Sequence, residues 1–212
     1  MLNLGPQSAH IFRITHIDNV PWILEHGLYS KNSPCQDPNF VSIGLQELIG
    51  KRPTRQVDCE PWGALGDYVP FYFTPASIML YNIATGYGSV TQRPNREIVV
   101  IVSSIPRLIE RELRYVFTTS HAYQHGAEFY EDLADLVRID WKILCARDFK
   151  TDPEDPGKKG RYQAEALVHS HVPTDAILGM ACYNTSAQQV LEAEVARRQL
   201  TLPIKVQTSW YF

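Results

Sequence analysis

The chain is 212 residues long, 44% hydrophobic and 20% charged, with a formal net charge of -3. That length and balance are read as one globular domain over residues 1–212 with enough apolar material for a core. A membrane-spanning helix is excluded, because the longest purely aliphatic run is Ile98–Val102 and a span needs ~20 residues. The opening Met1-Leu2-Asn3-Leu4-Gly5-Pro6 shows neither a basic nor an apolar leader region. The scattered Cys35, Cys59, Cys145 and Cys182 contain no C-x-x-C pair, which fits reduced thiols. A cytoplasmic protein without membrane attachment is therefore expected. The acidic balance gives no long-range pull on nucleic acid, so any such contact must be local. Arginine outnumbers lysine 13 to 7, in groups at Arg52/Arg55, Arg93/Arg96 and Arg107/Arg111/Arg114. Solvated surface is the first reading of these groups, and planar anion recognition is the second.

In chain order, His10 to Thr15 alternates as a short strand. Asp18 or Asn19 then caps a helix through Val20, Trp22, Ile23 and Leu24, ended by Gly27. Residues 29 to 69 read as a long loop with one short helix near Leu45 to Ile49, and loops of that length are usually functional. A strand at Val69 to Thr74 leads into a helix over Ala76 to Ala84. Glu97 to Ser103 reads as a buried strand, Ser104-Ile105-Pro106 starts a helix, and Tyr115 to Thr118 is strand-like. Glu128 to Ile139 has Phe129, Leu133 and Leu136 near helical spacing. Asp152 to Gly160 is turn-rich, Tyr162 to His169 and Ala176 to Ala181 read as strands, Ala187 to Leu200 as a helix, and Ile204 to Gln207 as a last strand. The irregular alternation is α+β, and no G-x-G-x-x-G follows the first strand.

Three stretches carry chemical potential. Arg13-Ile14-Thr15 is either a solvated strand edge or a binding edge. The aromatic run Tyr68-Val69-Pro70-Phe71-Tyr72-Phe73, with Met79 and Tyr81 after it, is either core or a stacking surface for a flat heterocycle. Gln163-Ala164-Glu165 sits in a strand, so Gln163 and Glu165 share a face. A carboxylate in an apolar strand is costly unless it is paired or used, so Glu165 is a salt-bridge partner or a functional group. His169-Ser170-His171 reads as two histidines on one strand face, which could suggest a metal, but no third ligand stands at convincing spacing and none is expected.

Taken together, Ile11-Phe12-Arg13-Ile14-Thr15-His16-Ile17-Asp18-Asn19, Ile23-Leu24-Glu25-His26-Gly27-Leu28, Gly66-Asp67-Tyr68-Val69-Pro70-Phe71-Tyr72-Phe73, Met79-Leu80-Tyr81, Phe129-Tyr130-x-Asp132-Leu133-Ala134-Asp135-Leu136, Asp140-Trp141, Gln163-Ala164-Glu165 and Trp210-Tyr211-Phe212 resemble ADP-ribosyltransferases. More narrowly they resemble the DarT toxins, which modify DNA. The resemblance spans essentially the whole chain. It implies an ADP-ribosyltransferase fold, a split antiparallel-rich β-sheet core with flanking helices.

The resemblance also implies site roles. Arg13, Ile14 and Thr15 would hold the adenosine ribose and the nicotinamide amide of NAD, with Tyr72 packing on nicotinamide and Met79 beside it. Arg52 would be the catalytic arginine, with Arg55 as the weaker candidate, and Glu165 the catalytic glutamate. The loop before Glu165 would recognise substrate, which makes Lys158, Lys159, Arg161 and Gln163 candidate contacts to DNA, and His121, in Thr118-Thr119-Ser120-His121, falls where a substrate-facing loop of the family runs. The basic trio in that loop reads equally as a solvated turn.

Such chemistry agrees with the residue types. Breaking the nicotinamide glycosidic bond passes through an oxocarbenium-like state, which a fixed carboxylate and a hydrogen bond to the ribose 2-hydroxyl stabilise. A base nitrogen is free to attack only when unpaired, so single-stranded DNA is the expected acceptor, thymine ahead of guanine. NAD is expected as co-substrate and a macrodomain ADP-ribosylglycohydrolase antitoxin, DarG, as partner. The other readings are protein modification, tRNA 2′-phosphate transfer to NAD, and a catalytically silent nucleotide-binding module.

Overall fold

The computed structural model describes residues 4–212, apart from the side chains of Gln46, Leu48 and Ile49. The Met1–Asn3 opening and the Gln46, Leu48 and Ile49 side chains of the expected Leu45–Ile49 helix thus lie outside the described residues. Strand β1 (His10–His16) and strand β4 (Ile98–Ser104) pair in register along their whole length, from His10↔Ser104 to His16↔Ile98. The run Ile98–Ile101 is completely buried, which is why an unbroken β-branched stretch forms a strand here. Each of its side chains contributes ~1.5–3 kcal/mol by leaving water.

Beyond β4 lie β9 (Gly179–Cys182) and, parallel to it, β10 (Ile204–Val206). On the other side of β1 come β3 (Tyr68–Tyr72), β7 (Glu165–His169), β5 (Tyr115–Thr118) and β6 (Phe129–Tyr130). Among the described residues these eight strands form one sheet, ordered β10-β9-β4-β1-β3-β7-β5-β6, antiparallel except at β9–β10. A two-stranded ribbon joins β2 (Leu28–Tyr29) to β8 (His171–Val172).

The sheet is split. Between β1 and β3 a single register pair, Phe12↔Tyr72, holds the two halves together. Pro70 explains part of this. In an antiparallel strand the N and O of one residue face the same edge, and the Pro70 carbonyl faces β1, where it accepts a hydrogen bond from Arg13 at 2.9 Å. Its missing N–H therefore removes no ladder bond on the β7 side, where Pro70 pairs with Leu167.

Helices cover both faces. On one face α1 (Val20–His26) and α7 (Thr185–Arg197) press Val20, Ile23, Leu24, Leu191 and Val195 against Ile11, Val99 and Ile101. The same core takes Ile105 and Leu108 of α4 (Ile105–Glu110) and Leu144 of α5 (Trp141–Ala146). On the opposite face α3 (Ile78–Thr85), capped by Ser77, packs Leu80 and Ile83 on Phe12, Ile98 and Val100. Two short helices, α2 (Gln46–Lys51) and α6 (Lys158–Arg161), lie in connecting segments near the split. No helix among the described residues is long and apolar enough to cross a membrane.

Three sequence expectations are corrected. Glu128 to Ile139 is the strand β6 followed by 3-10 turns over Leu133–Arg138, because Asp132 accepts from the Ala134 N–H at 2.9 Å and tightens the turn. Leu136 is buried there, but Leu133 and Val137 are exposed, so no helical apolar stripe exists. The strand expected from Tyr162 begins at Glu165, since Lys158–Arg161 is helical and Tyr162 caps it. Finally, Ser170 takes φ +63°, so the chain bends between His169 and His171 and they do not share a strand face.

Candidate active site

A cavity of about 170 Å³ opens at the split, lined by Arg13, Ile14 and Thr15 of β1, Pro70 and Tyr72 of β3, Met79 of α3, Arg52 and Glu165. Residues Phe40 to Leu45 of the long loop close it. A second cavity of about 420 Å³ shares Arg13, Phe40, Ser42, Arg52 and Pro70 and runs on past Trp22, Leu28, Tyr29 and Gly66. Alone the first is smaller than the ~300 Å³ of a typical ligand site. Joined end to end, the two suit an elongated ligand such as a dinucleotide.

Glu165 sits at the head of β7, with 1% of its side chain exposed. Its Oε1 accepts from Arg52 Nη1 at 3.1 Å and from the Ala122 backbone N–H at 3.0 Å, and its Oε2 from Arg52 Nη2 at 2.8 Å. Burial pushes this carboxyl up, but the Arg52 guanidinium, His121 and the Ala122 N–H outweigh it and hold the group below the ordinary value. Arg52 feels the reverse: burial lowers it, and the Glu165 carboxylate more than compensates. The pair is a bidentate fork with both charges kept at neutral pH. Arg52 comes from the short 3-10 turn Arg52–Thr54 that follows α2.

Strand register builds the rest. Tyr72 lies directly opposite Glu165 across β3 and β7, with Pro70 and Tyr68 on the same face. Val69, Phe71 and Phe73 point to the other face and are core. The aromatic run thus divides by simple alternation into packing and site. Burial and the adjoining carboxylate push the Tyr72 phenol up to about 12, so it stays protonated as a donor. Arg13 spans the split to the Pro70 carbonyl, and burial lowers its guanidinium to about 10, still cationic at pH 7.

The candidate DNA contacts divide. His121 stands with Nδ1 4.0 Å from Glu165 Oε1, and burial lowers its pKa against the pull of that carboxylate. Because Nδ1 accepts the Tyr123 N–H at 3.2 Å, the proton of the neutral ring is assigned to Nε2. Lys158 is instead buried and bonded to Asp148 at 2.9 Å and Asp152 at 3.5 Å. Arg161 forks onto Asp155 and reaches Asp140 at 3.2 Å. Both cations are neutralised in place and stitch the loop to α5. Lys159 is exposed. Gln163 lies in the turn before β7, its amide on the Lys159 carbonyl at 3.2 Å, so it does not share a strand face with Glu165.

Several site groups escaped the sequence reading. Asn19, expected only as a cap, bonds Thr15 at 3.0 Å and both backbone groups of Val41, at 3.0 and 2.8 Å. It thereby pins the Phe40–Leu45 segment over the cavity. The Ala122 N–H and the Thr118 hydroxyl, which accepts from the Glu165 N–H at 3.3 Å, fix the glutamate. Backbone donors leave no sequence signal. The length of the 29–69 loop was the signal for the lid.

Residues 12–212 match the family model for DarT, the ssDNA thymidine ADP-ribosyltransferase. A DNA ADP-ribosyl transferase of Escherichia coli O127:H6 is 47% identical, over 99% of this chain and 96% of that protein. The structure of Thermus sp. 2.9 DarT in complex with ADP-ribosylated ssDNA superposes with a TM-score of 0.90, at 30% identity and full coverage of both chains. The same protein in complex with NAD+ gives 0.84 at 32% identity, over 98% of this chain and 100% of that one. A Thermosipho africanus fusion of DNA ADP-ribosyl transferase and DNA ADP-ribosyl glycohydrolase is 26% identical, over 77% of this chain and 39% of its own length. With its split sheet, its buried Arg52–Glu165 fork and a family match over nearly its whole length, the chain belongs to the DarT family of single-stranded DNA thymidine ADP-ribosyltransferases.

Proposed function

We propose that this chain transfers ADP-ribose from NAD to a thymine of single-stranded DNA and releases nicotinamide, with Glu165 and Arg52 as the catalytic pair. The observation that carries the reading is the ionised, nearly inaccessible Glu165 facing a seam cavity lined by Arg13, Ile14, Thr15, Tyr72 and Met79. NAD bound along the joined cavities meets the Arg13 cation and the Tyr72 ring, with Met79 beside it. Oε1 of Glu165 already accepts two hydrogen bonds, while Oε2 accepts one and keeps room for a ribose hydroxyl. As the glycosidic bond breaks, its electron pair leaves with nicotinamide, and the fixed carboxylate opposes the positive charge left on the ribose. Arg52 keeps Glu165 ionised and oriented, and its remaining N–H groups can orient the reacting base. Neutral His121 offers Nε2–H to a base carbonyl.

The same reading makes the chain a toxin, neutralised by a DarG-type glycohydrolase that removes the mark. Its support is the Thermosipho africanus protein, which carries both activities on one chain.

Labelled NAD tests the assignment directly. A thymine-containing single strand should take up label, and the same strand annealed to its complement should take up little, because extracting a paired base costs a few kcal/mol. Replacing thymine position by position identifies the acceptor. Equal labelling of duplex, or labelling that follows guanine, RNA or protein, would overturn it.

A further inference from the structure

Residues 55 to 65 form a tight hairpin beside the catalytic pair. Leu65 donates to the Arg55 carbonyl at 2.7 Å, Val57 to Gly63 at 2.9 Å, and Gln56 bridges Ala64. The Tyr68 hydroxyl bonds the Trp62 carbonyl at 2.7 Å, and Asp67 accepts from the Ala64 N–H at 2.7 Å. Val57 is buried with Leu65, Tyr68 and Ala122, the residue whose N–H holds Glu165. The hairpin is thus rigid and bolted to the active site, yet neither cavity of the NAD site is lined by Arg55, Val57 or Trp62.

Its tip is anomalous. Trp62 is 56% exposed and its backbone sits at φ +62°, a left-handed conformation that bulky residues rarely adopt. Among the described residues no hydrogen bond or ring contact engages its indole. Two hydrogen bonds on its backbone, its N–H to the Cys59 carbonyl at 2.8 Å and its carbonyl from the Tyr68 hydroxyl at 2.7 Å, hold the tryptophan out in solvent.

At its base, Arg55 is also anomalous. Its Nε is buried without an acceptor, and among the described residues no carboxylate pairs with its guanidinium. By strand alternation Arg55 lies on the Val57 side of the hairpin, the side packed on Ala122 and Tyr123. A half-buried cation without a counter-ion is costly unless an arriving anion satisfies it. Lys158 and Arg161, the cations expected to hold DNA, are already bound to aspartates.

We propose that the hairpin is the dock for the acceptor strand: Arg55 binds a phosphate next to the modified thymidine, and Trp62 stacks on a flanking base. This rests on single-stranded DNA being the substrate. A ring platform at the tip and an uncompensated guanidinium at the base of one hairpin match the two chemistries of a nucleotide, a flat base and an anionic linker.

The test measures transfer to a thymine-containing oligonucleotide by the full chain over a range of salt. Trp62→Ala should raise the KM for the oligonucleotide roughly tenfold while the KM for NAD holds, and Trp62→Phe should restore most of the loss. Arg55→Ala should raise the same KM and flatten the plot of log KM against log salt by about 0.7, the loss of one phosphate contact on a single strand. Thermal melts of each variant exclude unfolding, and Arg55→Gln provides a second, better-packed probe. If the parent labels single-stranded DNA but the variants keep its KM and salt slope, the dock is wrong and the substrate stands. A parent KM combined with altered neutralisation by an antitoxin would assign the hairpin to a protein interface and overturn the dock equally. Should the parent label no DNA at all, both readings fall.

Discussion

Arg52→Ala is the most informative single change, because it separates the charge balance of the site from its chemistry. Glu165 is 1% exposed and Arg52 15%, and two charge-assisted hydrogen bonds of 3.1 and 2.8 Å join them. Such bonds are worth ~1.5–3 kcal/mol each, and removing one member of a buried pair costs ~3–5 kcal/mol. The Ala122 N–H still holds Oε1 after the change, which places the expected loss near ~3 kcal/mol. For a chain of this size that is a fall of roughly 6–12 °C in Tm. The double replacement Arg52→Met with Glu165→Leu removes both charges and should recover at least ~2 kcal/mol of it, giving a large coupling in the double-mutant cycle, while remaining inactive.

The pH dependence fixes the sign. In the parent, Glu165 lies below its ordinary value, so the stability from pairing is present above ~4.5 and is lost as pH falls through the lowered folded value. Without Arg52, burial governs and the carboxyl moves up, so protonation relieves the variant. The gap between parent and variant should close as pH falls, and the acid limb of residual activity should shift upward. Differential scanning calorimetry between pH 4 and 8 measures the first, and initial rates the second. An Arg52→Ala protein melting within ~2 °C of the parent at pH 7 would refute the buried-pair argument.

The other expectations are shorter. Glu165→Gln keeps the shape and the Ala122 contact but loses the charge, so kcat should fall at least ~1000-fold with the Kd for NAD, measured calorimetrically, within a few-fold of the parent. Arg161→Ala and Lys158→Ala should lower Tm yet leave the salt dependence of DNA labelling unmoved, since their charges are bound to Asp155, Asp140, Asp148 and Asp152; a shallower salt slope would return them to the DNA. His121, lowered by burial, is neutral at pH 7 and takes up its proton only below pH 6.5; if labelling declines as pH falls below that value, His121→Gln should remove the decline, and an unchanged profile would exclude the ring as its source.

Much of this site was readable from residue order, for definite reasons. Strand alternation marked Glu165 as a carboxylate among Ala164, Ala166 and Leu167, and no burial pattern of that kind is stable without a partner. Arg52 was reached through the family resemblance, and the fork to Glu165 spans 113 positions that no local pattern connects. Tyr72 opposite Glu165 depends on the β3–β7 register, which is set by tertiary pairing. The loop cations were misjudged because positive charge was read without its neighbours. Asp152 and Asp155 were visible within the same turn, but Asp140 and Asp148 arrive from the N-cap of α5 and from just beyond its end. Phe129, Leu133 and Leu136 imitated a helical stripe, whereas the cap at Asp132 decided the local geometry.

The single register pair between β1 and β3 means that the seam with the least backbone pairing in the large sheet is also where the proposed NAD cavity opens. With NAD held as proposed, Arg13 on one leaf and Tyr72 on the other would be tied across a seam that backbone bonding joins at one register pair. At a hundred times its Kd such a tie adds about 2.7 kcal/mol to the closed form. The reaction then cuts the tie: nicotinamide departs and the ADP-ribose moves onto the nucleic acid. The tie lasts only as long as the NAD is whole, so the rise in melting temperature that NAD gives should fade as turnover consumes it.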